Sequence, residues 1–137
     1  MKPNRTAVET FKGQVEAAVE ARDLELFSTF LAEDCVFRDV TEHEPRVGRE
    51  KFVEFVKGLL ADMTDTKNEY LNVFSDGEFV AGEVALHALY RGVGAAPGGT
   101  RVVMHYCIVD QIRDGLVQRE TVYWNPDELN QQLPAAT

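Results

Sequence analysis

Cysteine is scarce: Cys35 and Cys107 stand far apart, in no C-x-x-C pair. They read as two buried or half-buried thiols, and no local signature activates either as a nucleophile. Only three histidines occur, and no group of His, Cys, Asp and Glu has metal-ligand spacing, so neither a metal nor a cofactor is expected. Positive charge is short as well, with 14 Lys and Arg against 23 Asp and Glu and a net charge of -9. That balance argues against nucleic acid as a partner, because phosphate binding depends on Lys and Arg. No apolar run approaches the roughly 20 residues of a bilayer span. The opening MKPNRTAVET lacks the apolar stretch of a secretion signal, so a cytoplasmic protein with no membrane partner is expected. The glycines of GVGAAPGG are not followed by a helix, which removes the phosphate-loop reading.

The 137 residues, 45% of them hydrophobic, are enough for one domain with a real core, taken as 1–137. Thr6 and Glu9 form a capping-box pattern, and Val8, Phe11, Val15, Ala18 and Val19 then recur at helical spacing to about Arg22. Asp23 caps a second, short helix with Leu24, Phe27, Phe30 and Leu31 on its apolar side. CVFRDV is a short strand. A third helix follows Gly48, with Phe52, Phe55, Val56, Leu59, Leu60 and Met63 as its stripe.

From about Thr66 the texture changes to strands parted by glycine-bearing turns, and NPDELNQQL closes with one helical turn begun by Asn125 or Pro126. Helices first and a meander after predict an α+β fold, a cone-shaped, curved, mainly antiparallel (mixed) sheet wrapped around three N-terminal helices. Gly82 offers a place for a bulge. Alternation puts Val84, Leu86, Ala88 and Tyr90 on the inner face with Met104, Tyr106, Ile108, Asp110 and Ile112, and Glu120, Val122 and Trp124 join them. Asp110 and Glu120 then either meet across the RDG hairpin, where one carboxyl would be pushed up, or lie solvated at the open end of the sheet. The outward set of Ala85, His87, Leu89, Val103, His105, Cys107, Val109 and Tyr123 is too apolar for a solvated face and predicts a homodimer through it.

The order helix, RDLELFSTFLAEDCVFRDV, a loop with EPRVG, a helix, and four strands ending in YWNPDEL resembles the nuclear-transport-factor-2-like cone fold. Ketosteroid isomerases, SnoaL-type polyketide cyclases and limonene-epoxide hydrolases share that fold. EDCVFRDVTEHEPRVG is most similar to the isomerases, in which the aspartate ending this strand moves protons between carbons; Asp39 takes that position. The isomerases' two enolate-binding donors correspond to Val15 and Ile108 here, and the acid of the last strand in hydrolases and cyclases to Val122, with Asn125 at a second family aspartate.

The resemblance implies a pocket for a small hydrophobic or polycyclic carbonyl compound. Its walls would be Val15, Phe55, Leu59, Val84, Leu86, Tyr90, Ile108, Asp110, Glu120, Val122 and Trp124. Asp39 would be the general base, desolvated by apolar neighbours, and Tyr106 a replacement hydrogen-bond donor. The reaction implied is an isomerisation or cyclisation by proton transfer. Two bland readings stand beside these: Asp39 as the acceptor of an Asx-turn, and Tyr106 as a mere wall. His43 lies in the loop near Asp39, either at the entrance or simply solvated. A ligand-binding or dimeric assembly domain without turnover is the alternative function.

Overall fold

The computed structural model describes residues 6–134; residues 1–5 and 135–137 of the expected domain lie outside the described residues. Helix α1 spans Ala7–Glu20. Thr6 caps it by accepting from the Glu9 backbone N–H at 3.2 Å, while its hydroxyl donates to the Glu9 carboxylate at 3.0 Å. The chain turns at Arg22, whose φ of 61° is left-handed. Asp23 then accepts from Leu26 N at 3.1 Å and starts α2, Leu24–Thr29.

Leu31 does not extend that helix as its spacing suggested. It opens β1, Leu31–Asp39, and is wholly buried at 0% exposure. Pairing with the rest of the sheet wins over helical periodicity there. The EPRVG loop contains a two-residue strand, β2 (Arg46–Val47), against Val36 and Phe37. Helix α3 runs Arg49–Ala61, and Met63 belongs to β3, Met63–Asp76, rather than to the helical stripe. Arg22 fixes this junction, donating to the carbonyls of Leu60 (2.8 Å) and Met63.

Strands β4 (Phe79–Tyr90), β5 (Thr100–Arg113) and β6 (Leu116–Trp124) complete a six-stranded sheet in the order β2-β1-β6-β5-β4-β3. Every pairing is antiparallel except β1 with β6, which is parallel, so the sheet is mixed. Asp114 and Gly115, with φ of 55° and 70°, form the tight RDG turn, a geometry suited to the right-handed twist of a hairpin. Gly82 is not a bulge. It pairs regularly with Val73 and Ile108, and the irregularities lie on the neighbouring strand, between Thr64 and Lys67 and between Tyr70 and Asn72.

The three helices pack on one face of the curved sheet. Phe37 stacks on Phe52 (4.5 Å), and Phe27 meets Phe52 edge-on (5.3 Å), all three buried. Each such side chain removed from water contributes about 1.5–3 kcal/mol before the ordering cost. A smaller apolar cluster of Met63, Ala88, Val102 and Met104 is covered by Leu129 and Leu133. These come from α4 (Pro126–Asn130), capped by Asn125, and the turn after it. Where β6 ends, side chains replace its backbone along β5. The Gln132 amide bonds both N–H and C=O of Val103 at 2.8 Å, and Glu128 accepts from His105 N at 2.5 Å.

The opposite face is partly apolar, with Phe74 and Tyr123 each at least half exposed and His87 and His105 also outward. Ala85, of the same outward set, is buried between its register partners Glu69 and His105. No described helix is long and apolar enough to cross a membrane.

Candidate active site

Helices and sheet enclose a cavity of about 310 Å³. Val15 comes from α1, Phe55 and Leu59 from α3, and Val84, Leu86 and Tyr90 from β4. Tyr106 and Ile108 come from β5, and Glu120, Val122 and Trp124 from β6; all line it together with Asp39. Asp110 does not: it is buried behind Glu120, its register partner, and reaches the cavity only through that neighbour. Five carboxyl groups border the space, those of Glu16, Glu20, Asp39, Asp62 and Glu120, and no Lys, Arg or His among the described residues does so.

Asp39 is 7% exposed at the end of β1. Its Oδ1 accepts from the backbone N–H and the hydroxyl of Thr41, at 2.9 and 2.7 Å. It therefore makes the Asx-turn and also faces the cavity. The indole Nε1–H of Trp124 lies 3.1 Å from both carboxylate oxygens and adds a second hold on the group. Parallel pairing causes this meeting: Asp39 is in register with Val122, and Trp124 lies two residues further on the same face.

The Tyr106 ring packs 5.5 Å from that indole, and among the described residues its hydroxyl has only the sulfur of Met104 as acceptor, at 3.4 Å. Burial, and then the charges of Asp39 and Glu128, push its pKa further up, so the hydroxyl keeps its proton and can donate. His43 is exposed in its loop and does not line the cavity.

A second polar group sits at the cavity wall. Lys12, 2% exposed, donates to Asp110 Oδ2 at 2.5 Å and to Glu16 at 3.4 Å. Glu16, Asp110 and Glu120 bring carboxylate oxygens within 4.8 Å of one another. Burial, then the charges of Asp110 and Glu16, push Glu120 well above the usual carboxylate range, against the opposing pull of Lys12. Burial also raises Glu16. For Lys12, burial alone would lower the value; Asp110, Glu16 and Glu120 outweigh it, and the ammonium is held above its ordinary range. Burial and Glu16 raise Tyr70, whose hydroxyl faces this group. Lys12 thus supplies one positive charge among the three carboxyls.

A family model for the SnoaL-like domain matches residues 12–120, most of the chain, from within α1 into β6. The chain belongs to the SnoaL-like family. No curated protein matches it. Among solved structures, a SnoaL-like fold recurs in a candidate polyketide cyclase from Pseudomonas putida, at 22% identity over 96% of this chain and 100% of that one, with a TM-score of 0.75. IdmH of Streptomyces antibioticus, also a candidate polyketide cyclase, is 18% identical over 93% and 98% of the two chains (TM-score 0.81). An LEH-like epoxide hydrolase of M. tuberculosis is 17% identical over 96% and 92% (TM-score 0.76). At these identities the likeness establishes the α+β cone fold that the sequence resembled, and leaves the chemistry to the site.

Sequence reading of this SnoaL-like chain missed Lys12, Glu16 and Tyr70. A signal for Lys12 was present. Positions 8, 12, 15 and 19 form one helical stripe, so Lys12 occupies a core position between Val8 and Val15. Gly82 is its complement: a Cβ there would lie 3.2 Å from the Lys12 Cε, so the missing side chain makes room for the lysine stem.

Proposed function

We propose that this SnoaL-like domain catalyses proton transfer on a small, neutral, hydrophobic carbonyl compound, as in isomerisation or aldol-type cyclisation. Asp39 is the general base and Tyr106 a hydrogen-bond donor. One observation carries the reading: the Asp39 carboxylate borders an apolar cavity while Trp124 and Thr41 hold it in one orientation. The lining carries no basic side chain among the described residues, so it offers no cationic partner to a carboxylate or phosphate ligand and favours a neutral one. About 310 Å³ is at the small end of ligand pockets, which suits a compound of two or three fused rings.

The test uses 2-acetonaphthone, a neutral enolisable ketone, and follows deuterium uptake at its methyl group by NMR. Asp39→Asn lowers the protein-catalysed exchange at least a hundredfold if Asp39 is the base. Unchanged exchange overturns the catalytic reading. Quenching of Trp124 by the ketone without any exchange would favour the ligand-binding alternative. The domain is further proposed to act as a cytoplasmic homodimer through the apolar outer sheet face, where Phe74 and Val109 flank Ala81 in one row.

A further inference from the structure

We propose that Asn68 is a specificity-determining residue that hydrogen-bonds a hydroxyl group on the substrate, at the end remote from the reacting carbonyl. This narrows the substrate class, and it rests on the proton-transfer reading for which end reacts. The first observation is how Asn68 comes to face the cavity. Met63, at the start of β3, is buried on the inner face in register with Tyr90. Strict alternation from Met63 would turn Asp65, Lys67 and Glu69 inward. Instead Asp65 and Thr66 together stand opposite Ala88, and Asp65 takes a left-handed φ of 53°. This bulge exchanges the faces: Asn68 pairs with Leu86 and Tyr70 with Val84, both inward, while Lys67 and Glu69 turn out. A bulge gives up ladder hydrogen bonds and re-aims side chains. Here it sets a neutral amide in the wall where a lysine and a glutamate would otherwise stand.

The second observation is that the amide is unused. Among the buried polar groups of the wall, Asp39 serves Thr41 and Trp124, and Glu16 serves Lys12. Tyr70, the next inward residue of β3, lies against Gly82 beside the Lys12 stem and does not line the cavity. Asn68 and Thr66 do line it, both half-buried, and neither side chain has a hydrogen-bond partner among the described residues. The row that Asn68 shares across the sheet is apolar, Leu86 and then Met104, so an aliphatic side chain would pack there at least as well.

The third observation is position and chemistry. Asp39 is on β1 and Asn68 on β3, four strand spacings apart, about 19 Å along the sheet. Both line one cavity, so the curvature of the sheet sets them facing across it. A fused bicyclic ketone with its carbonyl toward Asp39 places its far ring edge toward Asn68. Two exposed carboxyls border the same end: Asp62 immediately precedes β3, and Glu20 ends α1, which packs on β3. With no cation beside them, a substituent there has to be neutral and able to donate. A hydroxyl meets both demands, giving its proton to the Asn68 Oδ1 and accepting from the Nδ2.

The test compares 6-hydroxy-2-acetonaphthone with 6-methyl-2-acetonaphthone, which carries a substituent of similar size that cannot hydrogen-bond, by calorimetric titration at pH 7. The wild type should bind the hydroxy ketone about five- to tenfold more tightly. Equal binding, or tighter binding of the methyl ketone, overturns the proposal, and binding of neither overturns it together with the pocket. In the wild type the ¹⁵N side-chain amide signal of Asn68 should shift with the hydroxy ketone and not with the methyl ketone; the same response to both overturns it without any variant. Asn68→Leu should bring the affinity ratio down to about one or below, and a preserved ratio would assign the hydroxyl to another group and overturn the role of Asn68. Deuterium uptake at the acetyl methyl separates the two claims. Hydroxyl preference with exchange unaffected by Asp39→Asn would refute only the base assignment, whereas exchange lost in Asp39→Asn without that preference would refute only the subsite.

Discussion

Lys12→Met is the most direct probe of how the cavity wall is built. The substitution keeps an unbranched stem beside Gly82 and deletes the ammonium that meets Asp110 at 2.5 Å and Glu16 at 3.4 Å. Removing one partner of a buried ion pair costs about 3–5 kcal/mol, because the other charge is left without compensation. Against a total stability of about 5–15 kcal/mol this is a large fraction. With a urea slope of roughly 1.5–2 kcal/mol per molar for a chain of this size, the unfolding midpoint should fall by about 2 M. The pH dependence follows from the carboxyls. Glu16 and Glu120 are both raised in the folded state. Their stabilisation is thus present below the ordinary carboxylate range and is lost as pH rises through the folded values. Lys12 opposes both rises, so its removal pushes them further up and steepens that loss. The variant should therefore be weakest at about pH 8 and recover much of its deficit near pH 5. Lys12→Met combined with Asp110→Leu should recover more than half of the loss, since replacing a buried pair by apolar groups is often neutral. Urea titrations followed by Trp124 fluorescence at both pH values are the assay. A loss under about 1 kcal/mol, or one equal at the two pH values, would refute this account of the cluster.

Two further outcomes follow from the sheet. Val109→Lys places a charge in the middle of the outer face, between Ala81 and Thr121, and light scattering should show a dimeric wild type and a monomeric variant; a wild-type monomer would refute the proposed dimer. Gln132→Ala removes a two-bond clasp on Val103, so amide exchange at Val103 should quicken about tenfold, and unchanged exchange would show that α4 is held by Leu129 and Leu133 alone.

The cone was legible because its signals are local. The Thr6 and Asp23 caps, the RDG turn and the alternation along β4 to β6 each specify geometry within a few residues. Tyr106, Trp124 and Val84 were assigned to the inner face by counting alone. Failures came where a distant element overrides local pattern. Leu31 and Met63 continue helical stripes but are claimed by strands. Asp110 and Glu120 can be seen to face each other, yet whether they are solvated depends on α1, and Lys12 meets Asp110 across 98 positions of sequence. For Asp39, turn and pocket were posed as alternatives. The structure satisfies both, since one oxygen serves Thr41 while the carboxylate as a whole faces the cavity.

The parallel seam between β1 and β6 also dictates when the cavity can come into being. Asp39 receives its indole partner from Trp124, 85 residues later in the chain, and no hairpin can bring the two together early. During synthesis β3, β4 and β5 can zip in sequence as each emerges, whereas β1 must wait with β2 and α3 for the last strand. The seam closes late, after most loop entropy has been spent, and conditions that slow it should accumulate a species with a formed meander, an unpaired β1 edge and no binding site.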